Sequence, residues 1–307
     1  MAVESSLVLG GNGFIGSHLV NALRAIGQRV RVLDAGTPRP DFDWDEVDYR
    51  QARMDDVGVL DTALDDMQTV YHLISTTVPS TSNQDPISDI RQNLITTVAL
   101  LQTMMARGMR RIVFFSSGGT VYGNPAQLPV AETHPLEPIC SYGIVKVAVE
   151  RYLLMYGALG QMDPVILRPG NPYGPRQSAT GAQGVIPVFL NRVYAGQPVQ
   201  VWGDGSVVRD YIYISDLVDL AIKAASSAEN GIFNAGSGEG YSLTDILAKI
   251  SVMVGVCPVV QHHPQRRFDV SRLVLDISQA HKTFGWKPKV TLQDGLARTW
   301  ASMHASA

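Results

Sequence analysis

Leu7-Val8-Leu9-Gly10-Gly11-Asn12-Gly13-Phe14-Ile15-Gly16 is an apolar run that breaks into glycines and then resumes in a helical pattern. Glycines at 10, 13 and 16 give GxxGxxG between a strand and a helix, a variant of the GxGxxG fingerprint. Such a loop turns tightly and opens backbone N–H groups and the helix N-terminus to an anion, with no Cβ in the way. A plain glycine-rich turn would look the same in isolation. Context separates the two. The next apolar run, Val30-Arg31-Val32-Leu33, ends in Asp34, 18 residues past Gly16, where a carboxylate accepts from both hydroxyls of a ribose. The motif predicts a dinucleotide on Gly10, Gly13, Phe14, Ile15, Gly16 and Asp34. The Asp34 charge would repel a 2′-phosphate, so NAD is expected rather than NADP.

Outward from that loop, short apolar runs recur: Val70-Tyr71-His72-Leu73, Ile112-Val113-Phe114-Phe115 and Val165-Ile166-Leu167. Helical stretches lie between them, such as Ile15, Leu19, Leu23 and Ile26 at spacings of four, four and three. Strands alternating with helices predict a parallel sheet, because parallel neighbours need a crossover. The pattern breaks at Pro169-Gly170-Asn171-Pro172-Tyr173-Gly174-Pro175, after which helices are expected near 184–195, 215–226, 243–254 and 292–303. The fold class is therefore α/β, a Rossmann-type doubly wound parallel sheet followed by a smaller C-terminal α/β domain that binds substrate. The expected boundaries are 1–169 and 170–307, with part of the middle segment returning to the sheet.

Composition narrows the function. The 307 residues, 45% hydrophobic and 17% charged, suit an ordinary globular protein, and the net charge of -3 with no basic run argues against nucleic acid or an anionic membrane as partner. No apolar run is of bilayer length, and Met1 to Gly10 lacks the pattern of a secretory signal, so the expectation is a cytoplasmic protein. Two cysteines, Cys140 and Cys257, make neither a disulfide framework nor a cysteine-rich metal site. His262-His263 has no acidic or cysteine partner at ligand spacing, so no metal is expected. Cys140 reads as a small buried filler, and Trp202 and Trp286 as packing residues.

Tyr142 and Lys146, at i and i+4 in an expected helix start, share one face. A free tyrosine, with a pKa near 10, is a poor base at neutral pH. A neighbouring ammonium favours the phenolate, so the pair makes an acid/base. By itself this spacing is common on solvated helix faces. Here Ser116-Ser117 stands at the carboxyl end of a preceding strand, the edge where such sheets bind ligands.

With these residues in place, the chain resembles the extended short-chain dehydrogenases, in particular NAD-dependent nucleotide-sugar epimerases and dehydratases of the UDP-glucose 4-epimerase type. The marks run almost the full length: Gly10 to Gly16, His72-Leu73, Asn93-Leu94-Ile95-Thr96-Thr97, Ser116 to Gly123, Tyr142/Lys146, Asn171 to Arg176, Gly203-Asp204-Gly205, Arg209-Asp210-Tyr211, Asn234 to Gly238, Asp276-Ile277-Ser278 and Gly285-Trp286. The resemblance implies that Tyr142 takes the sugar hydroxyl proton and that Lys146 holds the nicotinamide ribose. It implies Asn93 as a cofactor contact, Asn171 at the phosphates of the sugar nucleotide, Arg209 and Arg266 on the diphosphate and Asp269 on its ribose. The hydroxyl that usually assists the tyrosine falls at Gly118 here, so Thr120 or Ser117 takes that part. Arg53 stands where the family often has an adenine-facing Asp, which leaves adenine to the backbone of Met54.

The resemblance also bears on the reaction. The family's dehydratases and decarboxylases carry an acidic residue just before Val-Tyr-Gly, whereas here those places are Gly119 and Thr120. What remains is reversible oxidation at C4 of a UDP-hexose, hence 4-epimerisation. A 4,6-dehydratase, a 4-ketoreductase or a non-catalytic NAD-binding scaffold are the alternatives. Leu273, four past Asp269, is expected to limit room at the sugar C2 substituent. A homodimer is expected through the helices near 89–107 and 142–156, by way of Leu94, Val98, Leu101, Met105, Val145, Val149, Leu153 and Met155.

Overall fold

The computed structural model describes residues 4–179, 184–265 and 270–304. In chain order the strands are β1 (Ser5–Leu9), β2 (Arg29–Asp34), β3 (Val47–Gln51), β4 (Thr69–His72), β5 (Arg111–Phe115), β6 (Asp163–Pro169), β7 (Asn171–Tyr173), β8 (Val199–Trp202), β9 (Val208–Tyr213), β10 (Gly231–Ala235), β11 (Gly240–Ser242) and β12 (Val260–His263). The helices are α1 (Phe14–Ala25), α2 (Val57–Ala63), α3 (Pro86–Asp89), α4 (Thr96–Ala106), α5 (Gly118–Val121), α6 (Ser141–Ala158), α7 (Val185–Tyr194), α8 (Ile214–Ser226), α9 (Leu243–Val254), α10 (Ser278–Phe284) and α11 (Leu292–His304). A π-helical turn, Ile90–Ile95, joins α3 to α4.

Seven strands form one sheet in the order β10-β6-β5-β4-β1-β2-β3. β1 pairs parallel with both β2 and β4, and the series continues parallel to β3 on one side and to β5 and β6 on the other. The order reverses at β1, between β2 and β4, the switch point where such sheets open a crevice at their carboxyl ends. All five residues of β1 are buried, as expected of a central strand covered on both faces. One layer of the core packs Leu7, Leu9 and Leu33 of the sheet against Leu60, Leu100, Leu101, Met104, Val149 and Leu153 of the helices.

The chain divides into two compact units, and neither is a continuous stretch. Unit one is Met1–Ser117, Cys140–Arg168 and Val218–Phe233; unit two is Gly118–Ile139, Pro169–Leu217 and Asn234–Ala307. The chain crosses between the units five times, and one crossing, at 168/169, lies a residue from the expected 169/170. Residues 118–139 go to unit two, and 218–233 return to unit one, bringing β10 to the sheet edge beside β6. In unit two, α7, α9 and α11 pack on one another around Phe189, Ile246 and Leu296. Its three-stranded sheet runs β11-β9-β7. Trp286 is a packing residue there, with Nε1 donating to Asp216 O at 3.0 Å. Trp202 is not: it is partly exposed and stacks on His263.

Candidate functional site

Two of the quoted glycines are required by the turn itself. Gly10 has φ +86°, a conformation that other residues adopt at a cost. A Cβ on Gly16 would stand 2.2 Å from Gly10 O and 2.7 Å from Gly11 Cα, so only glycine lets α1 start this close to the loop. The N-cap of α1 is Gly13, no side chain caps the helix, and its first turn has no acidic residue. The N-terminal N–H groups of a 12-residue helix therefore face outward over a glycine floor. That is a cradle for a pyrophosphate.

Beside it a cavity of about 250 Å³ is lined by Gly10, Gly13, Asp34, Arg53, Met54, Ile74, Ser75, Thr76, Gln92 and Thr96, among others. Asp34 ends β2 at this cavity. Its Oδ2 accepts from Asn12 N at 3.1 Å and its Oδ1 from Gly36 N at 2.9 Å, which pins the carboxylate at the mouth of the loop. Arg53 lines the wall as an exposed side chain paired with Asp55 through Nε and Nη2 (3.0 and 2.9 Å). Arg39 is likewise paired with Asp41 at 2.6 Å. Each guanidinium already has its own carboxylate, and Asp34 adds a further negative charge. These residues fit the adenosine half of NAD and are poorly arranged for an extra phosphate. Phe14 and Ile15 open α1 behind the cradle. Asn93, expected against the cofactor, does not line this cavity: its Oδ1 accepts from Thr76 N at 2.9 Å, and its Nδ2 donates to Thr76 Oγ1 and Asp89 Oδ1 at 3.0 and 2.8 Å. It shapes the loop after β4 instead.

The second group in unit one gathers on α6. Tyr142, Lys146 and Glu150 follow at spacings of four on one helix face. The hydroxyls of Ser75 and Ser117 hydrogen-bond with the Tyr142 phenol, and Ser75 Oγ also donates to Thr77 O at 3.1 Å. Ser75 was missed in the sequence, although its place just past the carboxyl end of β4 is a signal of its own. Thr120, the alternative to Ser117, lies in α5 with its hydroxyl buried and no hydrogen-bond partner among the described residues. The structure thus brings Ser117, rather than Thr120, to the phenol by a hydrogen bond.

The electrostatics correct a second expectation. Lys146 Nζ donates to Phe115 O at 2.9 Å and lies 5.5 Å from the centre of the Tyr142 ring, over its face. It does not bring the phenol down: burial, with Cys140 and Asp89 adding to it, pushes Tyr142 up to about 12. Burial also pulls Lys146 down to about 8, against the opposing pull of Glu150 and Asp89. In the ligand-free chain the resting pair is a neutral phenol beside an ammonium close to titrating. Behind them Glu150 and Arg168, each 1% exposed, form an ion pair with Oε2–Nη2 at 2.6 Å and Oε1–Nε at 3.0 Å. Ser116 Oγ donates to Glu150 Oε1. His72 in β4 donates or accepts at Nε2 with Thr97 Oγ1 (2.8 Å), while its buried Nδ1 has no partner among the described residues. Desolvation holds the His72 ring neutral, with its pKa down at about 3.

Unit two holds the residues expected at the sugar nucleotide. Asn171 opens β7 opposite Tyr211 of β9, and Arg209 lies two residues before Tyr211. Side chains two apart along a strand share a face, as do in-register neighbours, so Asn171 and Arg209 face the same way. Arg209 Nη1 donates to Val208 O at 2.9 Å. Leu273 has no accessible surface at all, so it offers none to a sugar, and the structure gives no support to it as a gate at C2. Arg266 and Asp269 lie outside the described residues. No group of His, Cys, Asp or Glu side chains suited to a metal ion occurs among the described residues. His262 Nδ1 contacts Gly203 O at 2.7 Å instead. Cys140 is buried, as expected of a filler. No helix among the described residues is long and apolar enough to cross a membrane.

The comparisons with known proteins agree with this geometry. The family model described as NAD dependent epimerase/dehydratase family matches residues 6–236. UDP-glucose 4-epimerase of Mycolicibacterium smegmatis is 35% identical over 302 residues, 96% of either chain. Among solved structures, Thermotoga maritima UDP-glucose 4-epimerase with UDP-glucose superposes with a TM-score of 0.94 at 31% identity, over 98% of this chain and 99% of that one. Thermus thermophilus UDP-glucose 4-epimerase in complex with NAD gives 0.93 at 35% identity, over 99% and 100%.

Proposed function

The chain belongs to the NAD dependent epimerase/dehydratase family, and from that premise we propose that it is an NAD-dependent 4-epimerase of a UDP-hexose, most simply UDP-glucose and UDP-galactose. The observation that carries the reading is the Tyr142 phenol, hydrogen-bonded by Ser75 and Ser117 and set one helical turn from Lys146. NAD, held on Gly10, Gly13, Phe14, Ile15, Gly16 and Asp34, supplies reversible two-electron oxidation at C4 when bound. The chain's own residues handle the proton. Tyr142 must first ionise, giving its own proton to solvent as the Lys146 ammonium supports the phenolate. Its Oη then accepts the proton of the 4-hydroxyl as the carbonyl forms, and gives it back when the carbonyl is reduced from the other face. Ser117 donates to the same oxygen and steadies the phenolate. Lys146, cationic below about pH 8, favours that phenolate once the substrate has displaced water from the site. Gly119 and Thr120 hold no acid to move a second proton, which disfavours 4,6-dehydration. Asn171, Arg209, Arg266 and Asp269 are assigned to the nucleoside diphosphate, a task suited to guanidinium forks.

We further infer a homodimer in the cytoplasm. The expected stripe needs correction, since Leu101, Val145, Val149 and Leu153 are buried in the protein's own core. The exposed side of the same helices is nevertheless apolar: Ile95 (56% exposed), Ile144 (56%), Met155 (43%) and Leu159 (63%), with Tyr152 beside them. An exposed patch of this kind supports a protein interface. Two free cysteines, one of them exposed, suit a reducing compartment. Incubation of purified protein with a panel of UDP-sugars, read by NMR and mass spectrometry, tests the activity. Formation of the C4 epimer at constant mass is expected, and loss of water or no conversion of any UDP-hexose would refute it.

A further inference from the structure

Beneath Ser75, Tyr142 and Ser117 lies a carboxylate that the proposed proton transfer does not use. Asp89 ends α3 and has no accessible surface. It accepts three hydrogen bonds: from Thr77 Oγ1 at 2.7 Å, Asn93 Nδ2 at 2.8 Å and Ser141 Oγ at 2.7 Å. Each donor belongs to a different piece of chain. Thr77 is in the loop that carries Ser75, Asn93 is in the π-helical turn, and Ser141 is the first residue of α6, one before Tyr142. π-helical turns inside longer helices often mark functional positions. This one turns the Asn93 amide onto both Asp89 and Thr76, which tightens the same loop a second time.

The start of α6 depends on this segment. Its N-cap, Cys140, makes no side-chain capping bond, and Ser141 N donates to Asn83 Oδ1 at 2.8 Å. The first turn of α6 is therefore held from outside, by Asn83 on the backbone and by Asp89 on the Ser141 hydroxyl. Since Ser75 and Tyr142 are both tethered through Asp89, the distance between them depends on it. Asp89 also lines, together with His72, Tyr142 and Lys146, a cavity of about 10 Å³.

Resting on the reading of Tyr142 as the acid/base, we propose that Asp89 is a positioning residue that holds the phenol and the ammonium in register and sets the pH window in which the pair works. The charges around the pair agree. Lys146 is faced by Glu150 from its own helix, by Asp89 and by His72 of β4, with Arg168 of β6 behind Glu150. Tyr142 is faced by Cys140 and Asp89. The Asp89 charge raises both Lys146 and Tyr142, so its removal lowers both.

Asp89→Asn keeps the shape and one acceptor oxygen but deletes the charge. Carbon-13 labelling at tyrosine Cζ reports each phenol by NMR in the full chain, and the Tyr142 signal is the one lost in Tyr142→Phe. In Asp89→Asn the Tyr142 titration should move to lower pH, and both limbs of the kcat/KM profile should move the same way. Ser141→Ala withdraws one anchor and leaves the charge, so kcat should fall several-fold at constant KM with the limbs in place. If Asp89→Asn only weakens activity, with the Tyr142 titration and both limbs unmoved, the proposal is overturned. Should that variant fail to fold, Ser141→Ala decides: an unchanged kcat rejects the positioning role. The NMR titration needs no turnover. A chain that converts no UDP-hexose yet shows the shifted phenol would sink the proposed function and leave the role of Asp89 standing.

Discussion

The Glu150–Arg168 pair allows burial and charge to be weighed against each other in one side-chain change. In Glu150→Gln the shape is kept, but no placement of the amide restores the pattern. Oε1 now accepts from Arg168 Nε and Ser116, and Oε2 from Arg168 Nη2, so one of these acceptors becomes an N–H aimed at a donor. A buried guanidinium also loses its carboxylate. Removing one partner of a buried pair costs about 3–5 kcal/mol. Arg107 is the control: it reaches Asp61 and Asp65 at 2.6 Å, as short as the buried pair, but its side chain is 29% exposed and its partners about half exposed. Arg107→Ala should cost little, because water screens the exposed pair.

A two-unit chain need not unfold in one step, so the assay is native-state hydrogen exchange at the amides of Val113 to Phe115 and Val165 to Leu167, the strands beneath the pair. Loss of protection should be small in Arg107→Ala and about 10²-fold or more in Glu150→Gln, the cost of about 3–5 kcal/mol expressed as a ratio. The double variant Glu150→Leu/Arg168→Met should recover most of it, since apolar replacement of a whole buried pair is often neutral. Equal costs for the two single variants would refute the reasoning, because they would mean that hydrogen-bond distance and not burial sets the energy.

Three further outcomes are expected. Tyr142→Phe should abolish turnover while retaining NAD and the thermal midpoint, checked by kinetics, by cofactor release on denaturation and by calorimetry; an active variant removes Tyr142 from the mechanism. Ser117→Ala should lower kcat by one to two orders of magnitude, at the low end of what acid–base assistance contributes, whereas Thr120→Val should change it less than threefold; the reverse ranking would transfer the assisting role to Thr120. His72 is neutral in the fold and titrates near 6.5 when unfolded, so below pH 6.5 the unfolded chain binds a proton that the folded chain refuses until about pH 3. Stability should therefore fall as pH drops from 6.5 toward 3, by up to roughly 1.4 kcal/mol per unit, and His72→Gln should flatten that slope in melting curves taken at several pH values.

The parts of the fold that were legible are those whose signal is local. The glycine loop, the buried strands and the four C-terminal helices follow from runs and periods within ten to twenty residues. β3 was missed because it is the last strand of the sheet and half-exposed, and its alternation of Val47 and Tyr49 with Asp48 and Arg50 is only two apolar residues long. A return of the middle segment to the sheet was expected, but which residues make it, 218–233, has no local signal, since it depends on what β10 lies beside. The homodimer stripe went wrong for a related reason: α6 is apolar on both sides, with Val145, Val149 and Leu153 inward and Ile144, Met155 and Leu159 outward. A helix of that kind has almost no preferred apolar face, and only its packing shows which residues remain to cover.

The same distinction explains why the chemistry of the site was half legible. Residue types at fixed spacing named Tyr142 and Lys146, because a helix face is a local fact. The state of the pair is not local. A lysine four residues away suggested a lowered phenol, but its ammonium lies over the ring face and donates to Phe115 O, so burial prevails and the phenol rises. Ser117 and Thr120 were indistinguishable for the same reason, as three residues of chain say nothing about which hydroxyl turns toward a ring more than twenty residues on. What the sequence could not supply was the set of buried charges around the ammonium, Asp89 before the π-helical turn and Glu150 one turn along α6. Those two carboxylates oppose the desolvation of Lys146. If they were absent, burial would act on the amine unopposed and carry it further below its present value near 8, toward the neutral form. A neutral amine would give the phenolate no electrostatic support, so the working state of the pair depends on carboxylates outside the pair itself.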